Sequence, residues 1–194
     1  MNLSIGESMI PGTTLKKSDM GNVTGLDFLS KIFFISDGIM IAEIRRISGI
    51  DTSTLQNWTK RGWLENSKLK RYNIDQVAHI LIINMLRSSM QLDRIAFLIR
   101  YINGNVNDTS DDIISPSCLY DYICRILEKL TGEYAVSIEN IHSLISEMLS
   151  DYEEKVTGAR KRLLAGLEII VIAYYASLTK HRSDMLLDRL MGKE

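Results

Sequence analysis

From Leu163 to Leu178 the chain is apolar on nearly every side, and this stretch constrains the fold more than any other. Leu164, Leu167, Val171, Tyr174, Leu178 and Met185 recur mostly at steps of three and four, the period of a helix. Ile169, Ile170 and Ile172 fill the remaining sides, so a single neighbouring element would not cover the helix. Gly166 and Glu168 interrupt the run, which at about 16 residues falls short of the roughly 20 that span a bilayer. A lipid setting would also bury Glu168. The expectation is therefore a helix of about 159–190 wrapped by protein and no membrane partner.

The rest of the chain offers helical partners. Stretches of about 117–130 and 138–154 each carry one apolar face, the second through Ile138, Ile141, Ile145, Met148 and Tyr152. Earlier, Val77, Ile80, Leu81, Ile83, Met85 and Leu86 make the segment from Ile74 to Arg87 apolar on several faces. Leu92, Ile95, Leu98, Ile99 and Ile102 give a clean stripe to the next helix. Only two of 194 residues are proline and alternating runs are scarce, so a mainly α fold is expected. Cys118 and Cys124, six apart in one helix, suit reduced core thiols rather than a disulfide framework or a zinc site. Without an apolar leader after a basic start, the expected location is cytoplasmic.

The chemistry concentrates in residues 41–72. The net charge is −1, yet these residues hold seven basic side chains against Glu43, Asp51 and Glu65, a surplus of four. The remainder therefore carries −5, an asymmetry suited to a region that meets phosphates. Ser36 or Asp37 can cap a helix through Ile41, Ile44 and Ile47 that Gly49 stops. Asp51 can cap a second, about Thr52 to Arg61, anchored inward by Leu55 and Trp58 and ended at Gly62. Two short helices joined by Ser48-Gly49-Ile50-Asp51 make a helix-turn-helix unit. Trp63-Leu64 and Leu69 to Tyr72 suit two very short strands, a small wing.

This arrangement resembles the MerR superfamily of winged-helix regulators. The resembling residues are Ile41 through Gly49, Thr54-Leu55 opening the second helix, Trp58, Gly62-Trp63-Leu64, and then Lys70 and Tyr72. Met90-Gln91-Leu92-Asp93-Arg94-Ile95 is similar to that family's Gly-Phe-Ser-Leu-Glu-Glu-Ile segment. From Trp58 through Asn103-Gly104-Asn105-Val106-Asn107-Asp108 and Leu119-Tyr120-Asp121-Tyr122 the chain resembles more closely the YkrK-like group, uncharacterised bacterial proteins of unknown domain function also described as MerR-like. The resemblance implies a bacterial, homodimeric transcription regulator that binds double-stranded DNA at an inverted repeat. Where MerR proteins carry an Arg-Tyr pair on DNA phosphates, this chain has Gln56 and Asn57. Those can pair with an adenine edge but bring no charge.

The expected organisation is a flexible or loosely docked arm with a short helix (1–36), a MerR-like winged helix-turn-helix with a small two-stranded wing (37–102), an acidic connecting loop (103–116) and a C-terminal helical dimerisation module (117–194). The expected DNA-binding residues are Arg45, Arg46, Ser53, Gln56, Asn57, Lys60, Arg61, Lys68, Lys70 and Arg71. Arg160-Lys161-Arg162 reads as a solvated helix start. Asn103, Asn105, Asn107 and Asp111 lack the central glycine and final glutamate of a calcium loop. His79, His142 and His181 fall in no catalytic or metal spacing, so neither an enzyme nor a cofactor is expected. The other reading is a protein-interaction adaptor that keeps the winged fold without DNA binding. For the dimer, Val171 and Tyr174 are the expected contacts, unless the helix from Ile74 to Arg87 covers that side within one chain.

Overall fold

The structure is a computed structural model describing residues 9–34, 36–67, 69–104, 112–131 and 137–193. A 3-10 turn (Ser18–Met20) precedes α1 (Gly25–Ile32), β1 (Ile39–Met40), α2 (Ile41–Ser48) and α3 (Thr52–Lys60). β2 (Arg71–Tyr72), α4 (Ile74–Leu86), α5 (Leu92–Asn103), α6 (Pro116–Thr131), α7 (Ile138–Met148) and α8 (Ala159–Leu190) follow. The fold is thus mainly α, with eight α-helices and one small antiparallel sheet among the described residues.

Helix α4 is the hub. Its start is fixed by a reciprocal cap, in which Gln76 N–H donates to Asn73 Oδ1 (2.8 Å) and Asn73 N–H donates to Gln76 Oε1 (3.0 Å). Nearly every later residue is buried, from Val77 to Ile83 and again at Met85 and Leu86, as an all-round apolar sequence requires. It meets α2, α5, α6 and α8, so the helices before residue 104 and those after residue 115 share one continuous core. No separate C-terminal module stands apart from residues 37–102. The span 105–111 of the expected connecting loop lies outside the described residues.

Over residues 9–34 the N-terminal segment is packed into the core rather than loosely docked. Ile10, Phe28 and Leu29 are wholly buried, and α1 lies along α6. The Tyr120 hydroxyl donates to Pro11 O at 2.7 Å inside the core. Gly12, at φ 75°, sits where a Cβ would lie 2.3 Å from the Leu81 carbonyl oxygen, so the segment lies directly on α4. At the other end of the segment, Thr24 Oγ1 donates to Glu128 (2.7 Å) and Leu26 N–H to Asp121 (2.9 Å). Interspersed glycines suggested a loose arm; buried apolar side chains between them decide otherwise.

Helix α8 keeps its expected bounds and packs one side of its first half against α4, α5, α6 and α7, leaving Ile169 and Ile172 exposed. Leu163, Leu167, Ile170 and Val171 are wholly buried, so Val171 is an internal residue and not a dimer contact. The alternative, that α4 covers this side within one chain, is what the structure shows. An 18-residue window of α8 has a mean hydropathy of 1.5, so length and composition alone do suffice for a membrane span, with 39% of that window buried in the fold. Cys124 is buried, but Cys118 is exposed and no core thiol.

Candidate nucleic-acid interface

The turn between α2 and α3 is held from several sides. Gly49 ends α2 in the left-handed region at φ 70°, and its N–H donates to Arg45 O at 2.9 Å. Buried Ser48 donates its hydroxyl to Ile44 O (2.7 Å) and accepts from Ile50 N–H (3.2 Å). Asn84 of α4 reaches up with its amide, donating to Ser48 O (2.9 Å) and Gly12 O (2.8 Å). Thr14 donates to Arg46 O and Ile47 O. Neither Asn84 nor Thr14 stood out in the sequence as part of the unit. Asn84 left one signal, a polar residue between Ile83 and Met85 in an apolar helix.

Helix α3 starts as expected at Asp51, whose carboxylate accepts from Thr54 N–H (2.7 Å), Thr54 Oγ1 (2.8 Å) and Ser53 Oγ (2.5 Å). The Ser53 hydroxyl foremost, then the two Thr54 donors, hold the Asp51 carboxyl well below the usual carboxylate range. Leu55 and Trp58 are buried, which turns Ser53, Gln56, Asn57 and Lys60 outward on the opposite face. The Ser53 hydroxyl proton is engaged by Asp51, so this side chain meets the outside as an acceptor.

Helix α2 begins at Met40 rather than at a Ser36 or Asp37 cap, because Ile39 and Met40 are drawn into a strand. Glu43 Oε2 accepts the Met40 N–H at 2.7 Å. Arg45 and Arg46 are exposed in its last turn. Among the described residues, Arg45, Arg46, Lys60 and Lys70 are exposed and form no ion pair. Arg61 stacks over the Trp63 ring at 5.1 Å.

The wing differs from the expected one. Trp63 and Leu64 are buried in the core and form no strand; β2 pairs instead with β1, Ile39 opposite Tyr72 and Met40 opposite Arg71. The sheet thus joins the chain just before α2 to the chain after α3. Arg71 reinforces it, donating from its guanidinium to Gly38 O (2.7 Å) and Ser36 Oγ (3.2 Å), which leaves less of that group for a ligand. Before β2, Leu69 and Lys70 both lie in the left-handed region at φ 51° and 61°, with Leu69 96% exposed. Lys68 lies outside the described residues. Among the described residues no cluster of three or more His, Cys, Asp or Glu is placed to hold a metal ion.

Residues 32–123 match the model of a domain of unknown function, DUF1836. The match runs through β1, α2, α3, β2, α4 and α5, and ends inside α6, past the boundary expected near residue 102. The chain is 24% identical over 152 residues to the uncharacterized protein YkrK of Bacillus subtilis (strain 168), an alignment covering 74% of this chain. It spans 64% of that relative's length. Both findings support similarity to the YkrK-like group of uncharacterised proteins. No solved structure matches the chain.

Proposed function

We propose that the protein is a sequence-specific, DNA-binding transcriptional regulator of MerR-like type, cytoplasmic and non-enzymatic, with α3 as its reading helix. The observation that supports this most is the outward face of α3. Ser53, Gln56, Asn57 and Lys60 stand exposed on a helix anchored rigidly by Leu55, Trp58 and the Asp51 cap. Arg45, Arg46 and Lys70, none of them neutralised by an ion pair among the described residues, supply the phosphate-binding charge that Gln56 and Asn57 lack.

The test is binding to duplex DNA across a salt series, with genomic fragments selected by the purified protein. Arg45→Ala with Arg46→Ala is expected to weaken binding to every sequence and to flatten the salt slope by about one for each lost phosphate contact. Gln56→Ala or Asn57→Ala is expected to cost about 1–3 kcal/mol on the selected site and little on random DNA. Absence of salt-dependent retention in the unmodified chain would end this reading.

The second reading, an adaptor that binds protein through the same fold, draws on a specific observation. Leu69 before β2, Met40 on β1 and Phe34 ahead of β1 are exposed apolar side chains, at 96%, 48% and 87%. An adaptor would lose its partner on Leu69→Asp, whereas the DNA reader would keep its salt slope.

A further inference from the structure

Helix α5 turns two aromatic rings away from the core it covers. Ile95, Ala96, Leu98, Ile99 and Ile102 are buried, whereas Phe97 and Tyr101 are 66% and 43% exposed. Lone apolar side chains on a surface are ordinary, but these two form a pair. Four residues apart, their rings stack with centroids 6.5 Å apart and planes at 25°. Each ring limits the other's freedom, which lowers the ordering cost of meeting a partner. Arg94, three residues before Phe97, and Arg100, three after it, stand exposed on the same stripe. Neither guanidinium has a hydrogen bond or an ion pair among the described residues. Asp93 shares this face, but it lies in the first turn, where the positive end of the helix offsets its charge. Helices α5 and α8 touch at Ile102 and Gly166, and Ile169, one turn further along α8, is 46% exposed.

We infer that this face of α5 docks an acidic amphipathic helix of a partner protein. Arg94 and Arg100 stand about 9 Å apart along the helix axis, beside the ring pair. A helix laid along α5 matches that length with two carboxylates six or seven residues apart and with Leu or Phe side chains between them. Guanidinium forks take carboxylates bidentately, and such pairs strengthen where the apolar contact beside them sheds water. Aromatic rings and arginines are also the side chains in which binding energy concentrates at protein interfaces. A nucleic acid is a poorer occupant. Its backbone asks for a longer basic track and its bases for open ring faces, whereas here the rings stack on each other and Asp93 stands among the arginines. A second copy of the same face would bring arginine against arginine.

This inference does not require DNA binding by α3, and its test is separate. The probe is a labelled synthetic helical peptide of about four turns, with two Leu flanked by two Glu at that spacing, titrated with the full chain by fluorescence anisotropy. A counterpart peptide carries Lys in place of Glu. The Glu peptide is expected to bind and the Lys peptide to stay free. Phe97→Ala with Tyr101→Ala is expected to weaken the binding about tenfold or more, with unchanged circular dichroism. Arg94→Glu with Arg100→Glu is expected to exchange the preference, so that the Lys peptide binds and the Glu peptide does not. A merely structural role for the arginines predicts no such exchange, and it keeps the test decisive should the alanines disturb folding. Failure of the Glu peptide to bind, equal binding of both peptides, or a preference unmoved by the charge reversal overturns the inference. So does a chain that ignores the Glu peptide but loses single-stranded oligothymidylate, phosphatidylcholine–phosphatidylglycerol vesicles or a second copy of itself when Phe97 and Tyr101 are changed. A chain that holds the Glu peptide but shows no salt-dependent retention on duplex DNA would support this inference while ending the regulator reading.

Discussion

Tyr120 shows how much a single buried hydroxyl can hold. Its O–H meets Pro11 O at 2.7 Å where no water reaches, fixing the N-terminal segment to α6 across 109 residues of sequence. Tyr120→Phe strands that carbonyl and is expected to cost about 1–3 kcal/mol in urea unfolding. An unchanged midpoint would mean that Pro11 finds another donor. His79 makes a different kind of demand. Burial pushes its imidazole down to about 4, so the ring stays neutral in the fold. The unfolded chain takes up that proton near 6.5, so between about 4 and 6.5 it binds more protons than the folded one. Stability is therefore expected to fall as pH falls through this window, by on the order of 3 kcal/mol at its acid end. Denaturation midpoints at pH 7 and pH 4.5 should differ less in His79→Gln than in the unmodified chain. An equal drop in both would assign the acid sensitivity to other groups.

Among the elements, α5 and α8 approach each other at a glycine. A Cβ on Gly166 would lie 2.5 Å from Ile102 Cδ1 and 2.6 Å from its Cγ1. Gly166→Ala is expected to cost about 1–3 kcal/mol through overpacking, and less when Ile102→Ala has already made room. Strict additivity of the two changes, measured by urea unfolding, would place the strain elsewhere. The helices were legible where period and caps agree: Asp51 before Thr52 and the glycine after Ser48 each fix an end locally. The outward set of α3 followed directly from Leu55 and Trp58. Of the sheet only β2 was legible, inside the expected strand from Leu69 to Tyr72; β1 was not, since a two-residue strand carries no alternation and Ile39 finds its partner at Tyr72, beyond two helices. Reading Trp63-Leu64 as a strand failed for the same reason: apolar character told of burial, not of what the backbone pairs with.

At the scale of the molecule, a division near residue 103 predicted two units, and one core is found. Residues from 116 onward pack on the same helix, α4, that α2 packs on. Period reveals that a face must be covered, but not which of several apolar faces covers it, and so the boundary fell where a turn-rich stretch stood. Unfolding is accordingly expected to be a single transition in urea, with helix content and tryptophan fluorescence from Trp58 and Trp63 changing together. Two separated transitions would restore the two-unit division. The long reach from Pro11 to Tyr120 and from Thr24 to Glu128 has a further consequence, for synthesis. At roughly 5–20 residues per second on a ribosome, the N-terminal segment waits on the order of 5–20 s before its docking surface exists. Until then Ile10, Phe28 and Leu29 have nowhere to hide, which makes the nascent chain a natural client for chaperones.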